Sequence, residues 1–313
     1  MNGNIRTKKQ YGIAGSTGRF KRVSLRFFLV LVLLVLPACS SRPAGIVSSG
    51  PNSALQVSTT AQTLTVSFID VGQGDAVLIR APGNKNLLID GGTKDGEEVV
   101  LSTLQDKGIK TLSIVATHED ADHISALPSV IRNFSVEKVY LPKMPTKATA
   151  TMERFAQAMR DKGLTFSQAK SGVSIDMGPR VTALFVAPVK DRYDEDNNYS
   201  AVLKLSYGNT SFLFTGDAQT EAENDMIKSG QNLKATVLKV GHHGSASSTG
   251  DAFLRAVSPS FAVIEVGLND YGHPSGKVLS RLQTAGVKIF RTDQQGSVTA
   301  ISDGDTVTFR TEK

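Results

Sequence analysis

Every histidine of this chain stands where an apolar run stops, and none stands inside one. The five are His118, His123, His242, His243 and His273, each beside Asp, Gly or Pro. A histidine packed into a core would sit on an apolar periodic face. Five at run ends instead demand a fold that carries several strand ends to one place.

From Leu64 the pattern supplies such strands. Leu64 to Asp70 alternates, Gly72-Gln73-Gly74-Asp75 turns, and Ala76 to Ile79 and Asn86 to Asp90 follow as further strands of an antiparallel run. Glu97 to Lys107 has helical spacing at Val99, Val100 and Leu104, and Gly108 is its stop signal. Strands and helices then alternate. Leu112–Ala116, Val136–Leu141, Val181–Val186, Ala201–Tyr207, Ser211–Phe214, Thr236–Val240 and Phe261–Val266 read as strands. Ile124–Asn133, Met152–Lys162, Glu221–Lys228, Asp251–Val257 and Pro274–Ala285 read as helices, the last with proline in its first turn. Strand-rich starts in both halves predict an α/β or α+β domain over 63–313. Two mixed sheets pack together in it, covered by helices.

The N-terminus reads as a signal rather than as fold. Phe27 to Leu36 is an uninterrupted apolar run behind Arg and Lys, too short to span a membrane. Leu36-Pro37-Ala38-Cys39 resembles a lipobox, so Cys39, the chain's single cysteine, is expected to be lipidated. Residues 1–38 would then be the lipoprotein signal peptide, and 39–62, rich in Ser, Gly and Pro, a flexible tether. The expected location is extracytoplasmic and membrane-anchored through the N-terminal lipid, or secreted if Cys39 is not modified. No internal disulfide can form with one cysteine. The net charge of +6 favours anionic partners, but Arg6, Lys8, Lys9, Arg19, Lys21, Arg22 and Arg26 lie in the signal, so the rest is close to neutral. No basic stripe with interleaved aromatics marks a nucleic-acid footprint.

His118-Glu119-Asp120-Ala121-Asp122-His123 follows an apolar strand directly, which lets several nitrogen and oxygen donors converge. Imidazole with carboxylate suits Zn²⁺, Mn²⁺ or Fe. Asp217, after Ser211–Thr215, either makes a turn or bridges two metals. His242 and His243, between Gly241 and Gly244, are expected to point opposite ways, so that one faces the metal. Lys239 either holds a phosphate oxygen or is an ordinary surface lysine. His273, before a helix, is either a ligand or a plain helix-start residue.

These motifs resemble the metallo-β-lactamase fold superfamily, whose signature is His-x-His-x-Asp-His, with Asp120 here in place of the second histidine. The variant, together with Phe68 to Asp75, Asn197-Asn198-x-Ser200, Gly216-Asp217 and Lys-Val-Gly-His-His-Gly-Ser, is most similar to the soluble hydrolase domain of ComEC-type competence proteins over 64–310. The resemblance implies a four-layer αββα sandwich holding two divalent metal ions, Zn or Mn. His118 and Asp120 would hold the first and Asp122 and His123 the second, with Asp217 bridging, His242 completing the set and His273 as the late ligand. The family's intermediate histidine is missing, since none lies between His123 and His242. Asn198 or Ser200 stands near that slot, which shifts the ligands toward oxygen and toward harder metals such as Mn²⁺. Asn198, Ser200 and Ser245 are the expected further metal or substrate contacts.

The activity so implied is metal-assisted hydrolysis of a phosphodiester, with nucleic acid as substrate. Asp122 would orient the water as base, and Lys239 and His243 would stabilise the transition state. No protein partner is expected, and the resemblance does not extend to channel-forming segments or DNA translocation. Two rivals remain: hydrolysis of another ester or amide (cell-wall phosphocholine, a lactone, a β-lactam), and a non-catalytic surface-binding lipoprotein.

Overall fold

The computed structural model describes residues 63–143 and 149–313. The signal, the tether and Cys39 lie outside the described residues. Among the described residues no helix is long and apolar enough to cross a membrane.

The first half runs β1 (Leu64–Phe68), β2 (Val77–Ala81), β3 (Lys85–Ile89), α1 (Glu97–Asp106), β4 (Thr111–Val115), α2 (Ala121–Ile124), α3 (Leu127–Asn133), β5 (Ser135–Leu141), α4 (Ala150–Asp161) and β6 (Phe166–Gln168). It continues with β7 (Ser174–Ile175), β8 (Val181–Ala187), β9 (Val202–Tyr207), β10 (Thr210–Phe214), α5 (Thr220–Lys228), β11 (Val237–Lys239), α6 (Asp251–Val257), β12 (Phe261–Ile264) and α7 (Gly276–Thr284). The chain closes with β13 (Lys288–Arg291), α8 (Thr292–Gln295), β14 (Val298–Ser302) and β15 (Val307–Thr311).

One sheet has the order β15-β14-β1-β2-β3-β4-β5-β6, the other β13-β12-β11-β10-β9-β8-β7. In both, an antiparallel half passes into a parallel half. β1, β2 and β3 pair antiparallel, and β3 to β6 pair parallel. Likewise β7 to β10 are antiparallel and β10 to β13 parallel.

Strand periodicity sorts the side chains into layers. Val77, Ile79, Leu87 and Ile89 meet Leu203, Leu205, Phe212 and Phe214 between the sheets. The alternate residues Leu78 and Leu88 pack with Val100, Leu104, Val130 and Phe155 of α1, α3 and α4. On the far side Leu213 and Leu238 pack with Met226, Phe253, Val278 and Leu282 of α5, α6 and α7. The result is a four-layer αββα sandwich, as expected.

Two local expectations change. The helix expected over 124–133 is two helices, because Gly91 N donates to His123 O (2.6 Å) and Ser125 N to Gly92 O (3.2 Å), tying the first turn to the loop after β3. The chain restarts at Leu127, with Pro128 in the first turn. Pro274 does not open α7: Ser275 is its N-cap, accepting from Val278 N.

Candidate metal centre

The C-terminal ends of parallel strands leave the sheet without a following strand partner, and ligands gather there in open α/β sheets. β3 ends at Asp90, β4 at Thr117-His118, β10 at Gly216-Asp217, β11 at Gly241-His242-His243 and β12 at Glu265. Asp75 joins them from the turn before β2. That turn sits tight: Asp75 N donates to Asp122 O (3.2 Å), and a Cβ on Gly74 would fall 2.4 Å from Asp122 O, so glycine is required there.

Asp217 is the hub. Its carboxylate lies 3.3 Å from His123 Nε2, 3.6 Å from His242 Nε2, 3.7 Å from His243 Nε2 and 4.0 Å from His118 Nε2. Asp122 Oδ2 is 3.2 Å from His243 Nε2, and Asp120 Oδ2 is 3.5 Å from His118 Nε2. Two triads, His118-His123-Asp217 and Asp122-His123-His243, have ligand atoms within 4.8 Å of one another.

A partner on the other ring nitrogen fixes each buried imidazole. Asp90 Oδ2 lies 2.8 Å from His123 Nδ1, Thr117 Oγ1 3.0 Å from His118 Nδ1, and Glu265 O 2.9 Å from His243 Nδ1. The carboxylate and carbonyl are acceptors, so Nδ1 carries the proton in His123 and His243 and Nε2 is left for a ligand. Asp90 is itself held by Thr117 N (2.8 Å) and Thr117 Oγ1 (2.7 Å), and Ser200 Oγ accepts from Asp217 N (3.1 Å).

The residues fit a divalent metal. His118 Nε2, His123 Nε2, His243 Nε2 and Asp217 Oδ1 are buried atoms with no hydrogen-bond partner, all at one point. Buried polar atoms are ordinarily paired, so a convergent set of orphans indicates a ligand. The charge agrees. Burial alone would depress His123 and His243, yet the surrounding carboxylates, Asp217 foremost, raise His123 well above its ordinary value and His243 to about 10. A site that negative suits a cation of higher charge than a proton.

Beneath the centre, Lys239 is buried and ion-paired to Asp75, and its Nζ donates to Gly216 O (3.3 Å). Burial pushes Glu265 well up, with the Asp75 charge adding to it, while its Oε1 accepts from Ala76 N (3.0 Å).

Several expected roles are corrected. Lys239 cannot reach a substrate phosphate, because Asp75 occupies its ammonium below the floor of the cleft. The histidine pair does not point opposite ways: both turn Nε2 toward Asp217, at 3.6 Å from His242 and 3.7 Å from His243, His243 buried in a ligand triad and His242 half-buried in the cleft wall. Both adopt left-handed backbone conformations, φ 49° and 50°. His273 belongs to none of the triads; its ring lies 5.4 Å from that of His242, one step further out. Asn198 Oδ1 accepts from Gln219 N and Ala222 N, which commits that oxygen to the start of α5. Ser200 positions Asp217, and Ser245 bonds to Ser247 within its own loop. Beside His242 stands Asn197, Nδ2 3.4 Å from Nδ1. The positioning residues Asp75, Asp90, Thr117 and Glu265 had no assigned role in the sequence, although Asp90 ends an apolar strand as Asp217 does.

The centre opens into a cleft of about 550 Å³ lined by Gln73, Lys94, Asp122, His242, Tyr271 and His273 among others.

A family model described as the Metallo-beta-lactamase superfamily matches residues 69–264. The chain is 34% identical over 252 residues to ComE operon protein 3 of Bacillus subtilis (strain 168), a match covering 74% of this chain and 32% of that protein. It is 31% identical over 290 residues to Competence protein ComA of Neisseria gonorrhoeae, covering 86% of this chain and 38% of that protein. It therefore spans about a third of the length of these curated relatives. Solved structures with a similar fold include CmlA, a diiron beta-hydroxylase from Streptomyces venezuelae (14% identity, 75% of this chain, 53% of that one, TM-score 0.49), and a diphosphatase of the PhnP family (15%, 76%, 98%, TM-score 0.44).

Proposed function

Since the chain belongs to the metallo-β-lactamase superfamily of hydrolases, we propose that it hydrolyses phosphodiester bonds, with nucleic acid as its substrate and the space outside the cytoplasm as its place of action. The observation that carries the hydrolytic reading is the convergence of unpaired Nε2 atoms from His118, His123 and His243 on Asp217. The curated relative named for competence supports nucleic acid as the substrate. The apolar run before Cys39 supports export and lipid anchoring.

His118, Asp120, Asp122, His123, Asp217 and His243 would hold two divalent metals. Bound there, they would supply Lewis acidity toward the phosphoryl oxygens and toward the attacking water. The chain's own residues do the rest. Asp122, a third exposed to the cleft, stays ionised: burial alone would raise its carboxyl, but His123 and His243 hold it below the usual range. It accepts a hydrogen bond from the attacking water and orients it. His242, in the cleft wall 3.6 Å from Asp217, is placed to donate to a phosphoryl oxygen. Asp90, Thr117 and the Glu265 carbonyl keep the rings from turning.

The test is metal content of the purified protein together with turnover of DNA, RNA, bis-p-nitrophenyl phosphate and nitrocefin in Mn²⁺ or Zn²⁺. Phosphodiester and DNA cleavage lost on Asp122→Asn is the expected result. Nitrocefin turnover without phosphodiester turnover, or DNA cleavage undiminished in Asp122→Asn, defeats the proposal.

A further inference from the structure

The loop from Gly267 to Ser275, between β12 and α7, brings Tyr271 and His273 to the lining of the cleft. It also carries the two most exposed large hydrophobic side chains among the described residues, Leu268 at 102% and Tyr271 at 77%. Single exposed apolar residues are ordinary. Two within four positions, beside a charged cleft, are a feature.

The loop is built to hold them there. The Asn269 side chain donates to Gly267 O (2.8 Å) and His273 O (2.9 Å) and accepts from Tyr271 N (3.1 Å) and His273 N (3.0 Å). Gln73 Oε1 accepts from Gly267 N (3.2 Å). A Cβ on Gly267 would fall 2.4 Å from the carbonyl carbon of Gly72, so the loop seats against the turn that carries Asp75.

From Tyr271 a row of rings leads inward. Its centroid is 5.8 Å from that of His273 at 33°, His273 is 5.4 Å from His242, His242 6.1 Å from His243, and His243 5.4 Å from His123. Tyr271 is the outermost ring of a row that ends on the metal ligands. Lys94 lines the same cleft from the segment after β3, most of its side chain in solvent and its ammonium paired to Glu97, a solvent-facing pair that costs little to exchange for a phosphate, unlike the buried pair of Lys239.

We propose that Tyr271, with Leu268 beside it, is the platform on which a nucleobase next to the scissile phosphate stacks, while Lys94 meets a neighbouring phosphate. The proposal rests on the nucleic-acid reading above and adds how the strand is held. Every nucleotide offers a flat π-face and a phosphate within one unit. That matches an exposed phenol ring beside a centre that binds phosphoryl oxygens, and it needs no base-specific hydrogen bond. A lactone, a β-lactam nucleus or phosphocholine has no such face.

The test is steady-state cleavage, by the full chain loaded with Mn²⁺ or Zn²⁺, of a labelled single-stranded oligodeoxynucleotide and of the same strand built from abasic spacers. Loss of base stacking on Tyr271→Ala is expected to raise KM for the intact strand on the order of 10- to 100-fold, while Tyr271→Phe holds it near the wild-type value. On the abasic strand the gap between wild type and Tyr271→Ala closes. An equal KM for the intact strand in wild type and Tyr271→Ala overturns the platform and leaves the nuclease reading standing. A wild type that turns over bis-p-nitrophenyl phosphate but neither strand overturns the nucleic-acid reading and the platform with it.

Discussion

Asp90 Oδ2 lies 2.8 Å from His123 Nδ1, and this contact decides which nitrogen of His123 faces Asp217. The same carboxylate accepts from Thr117 N and Thr117 Oγ1. In Asp90→Asn one oxygen becomes an NH₂ facing donors, so either the ring or Thr117 loses its anchor. The expected cost is about 10- to 100-fold in metal affinity or activity, the range for a residue that orients a metal-bound histidine. Metal titration of the variant checks it; an unaltered dissociation constant contradicts the role.

Asp217 is within 4.0 Å of four imidazole Nε2 atoms. Its removal leaves those nitrogens with no shared anion, so Asp217→Ala should lose metal and not merely rate. Elemental analysis should find at most one metal per chain, with hydrolysis down by roughly 10³-fold or more, the scale of several kcal/mol of charge stabilisation. Retention of the wild-type metal complement speaks against a bridging carboxylate.

How much of this centre was legible in the sequence depends on what each residue contacts. Asp122 and His123 could be read because an apolar strand that ends in closely spaced His and Asp has few other uses, whereas Asp217 is a turn or a bridge by its residues and takes its metal role from the resemblance. The sandwich could be read because its strands keep a period of two. The failures have one cause: side-chain partners far apart in sequence. Lys239 is open to a substrate role in the sequence, but in the fold Asp75, from the turn before β2, neutralises it. Strand parity already argued against solvent, since Val237 faces the inter-sheet core, Leu238 the helices, and Lys239 the inter-sheet side again. Between His242 and His243 no pattern could choose. In the fold the carbonyl of Glu265 takes His243 Nδ1 and fixes that ring, while His242 stays half-buried in the cleft wall. Asn198 looked like a ligand because it stands near where the family keeps a histidine, yet its amide oxygen is committed to the start of α5.

The Asp75–Lys239 pair is buried on both sides, 4% and 2% side-chain exposure. Burial opposes the Lys239 ammonium, but Asp75, Asp217 and Glu265 together raise its pKa, so the charge is retained. Lys239→Met leaves the buried Asp75 carboxylate without its ammonium, with only the His243 and His123 rings beside it (3.3 and 3.8 Å), and is expected to cost up to about 3–5 kcal/mol. Adding Asp75→Asn should return part of that loss, since the two sites share one interaction. Urea unfolding of the single and double variants measures it; strictly additive losses exclude coupling.

Glu223 gives the fold a pH dependence that does not involve the metal ligands. It lies on α5, buried, and accepts from Thr249 N and from Gly250 N (3.0 Å), fastening the segment that runs from His243 to α6. Burial outweighs those two bonds and the Arg281 charge, and pushes its carboxyl up to about 7 from an ordinary 4.5. The folded state therefore holds the proton more tightly than the unfolded chain. Its contribution to stability is fully present below pH 4.5 and is lost as pH rises through 7. The loss is on the order of 3 kcal/mol at most. Glu223→Gln resembles the protonated acid and does not titrate. Its stability relative to wild type should be near zero at pH 5 and favour the variant at pH 8. Metal-linked and other titrations are common to both proteins and cancel in the difference. Urea midpoints for the two proteins at both pH values decide it, and a difference that stays constant from pH 5 to pH 8 means that Glu223 is already ionised in the folded state at the lower pH.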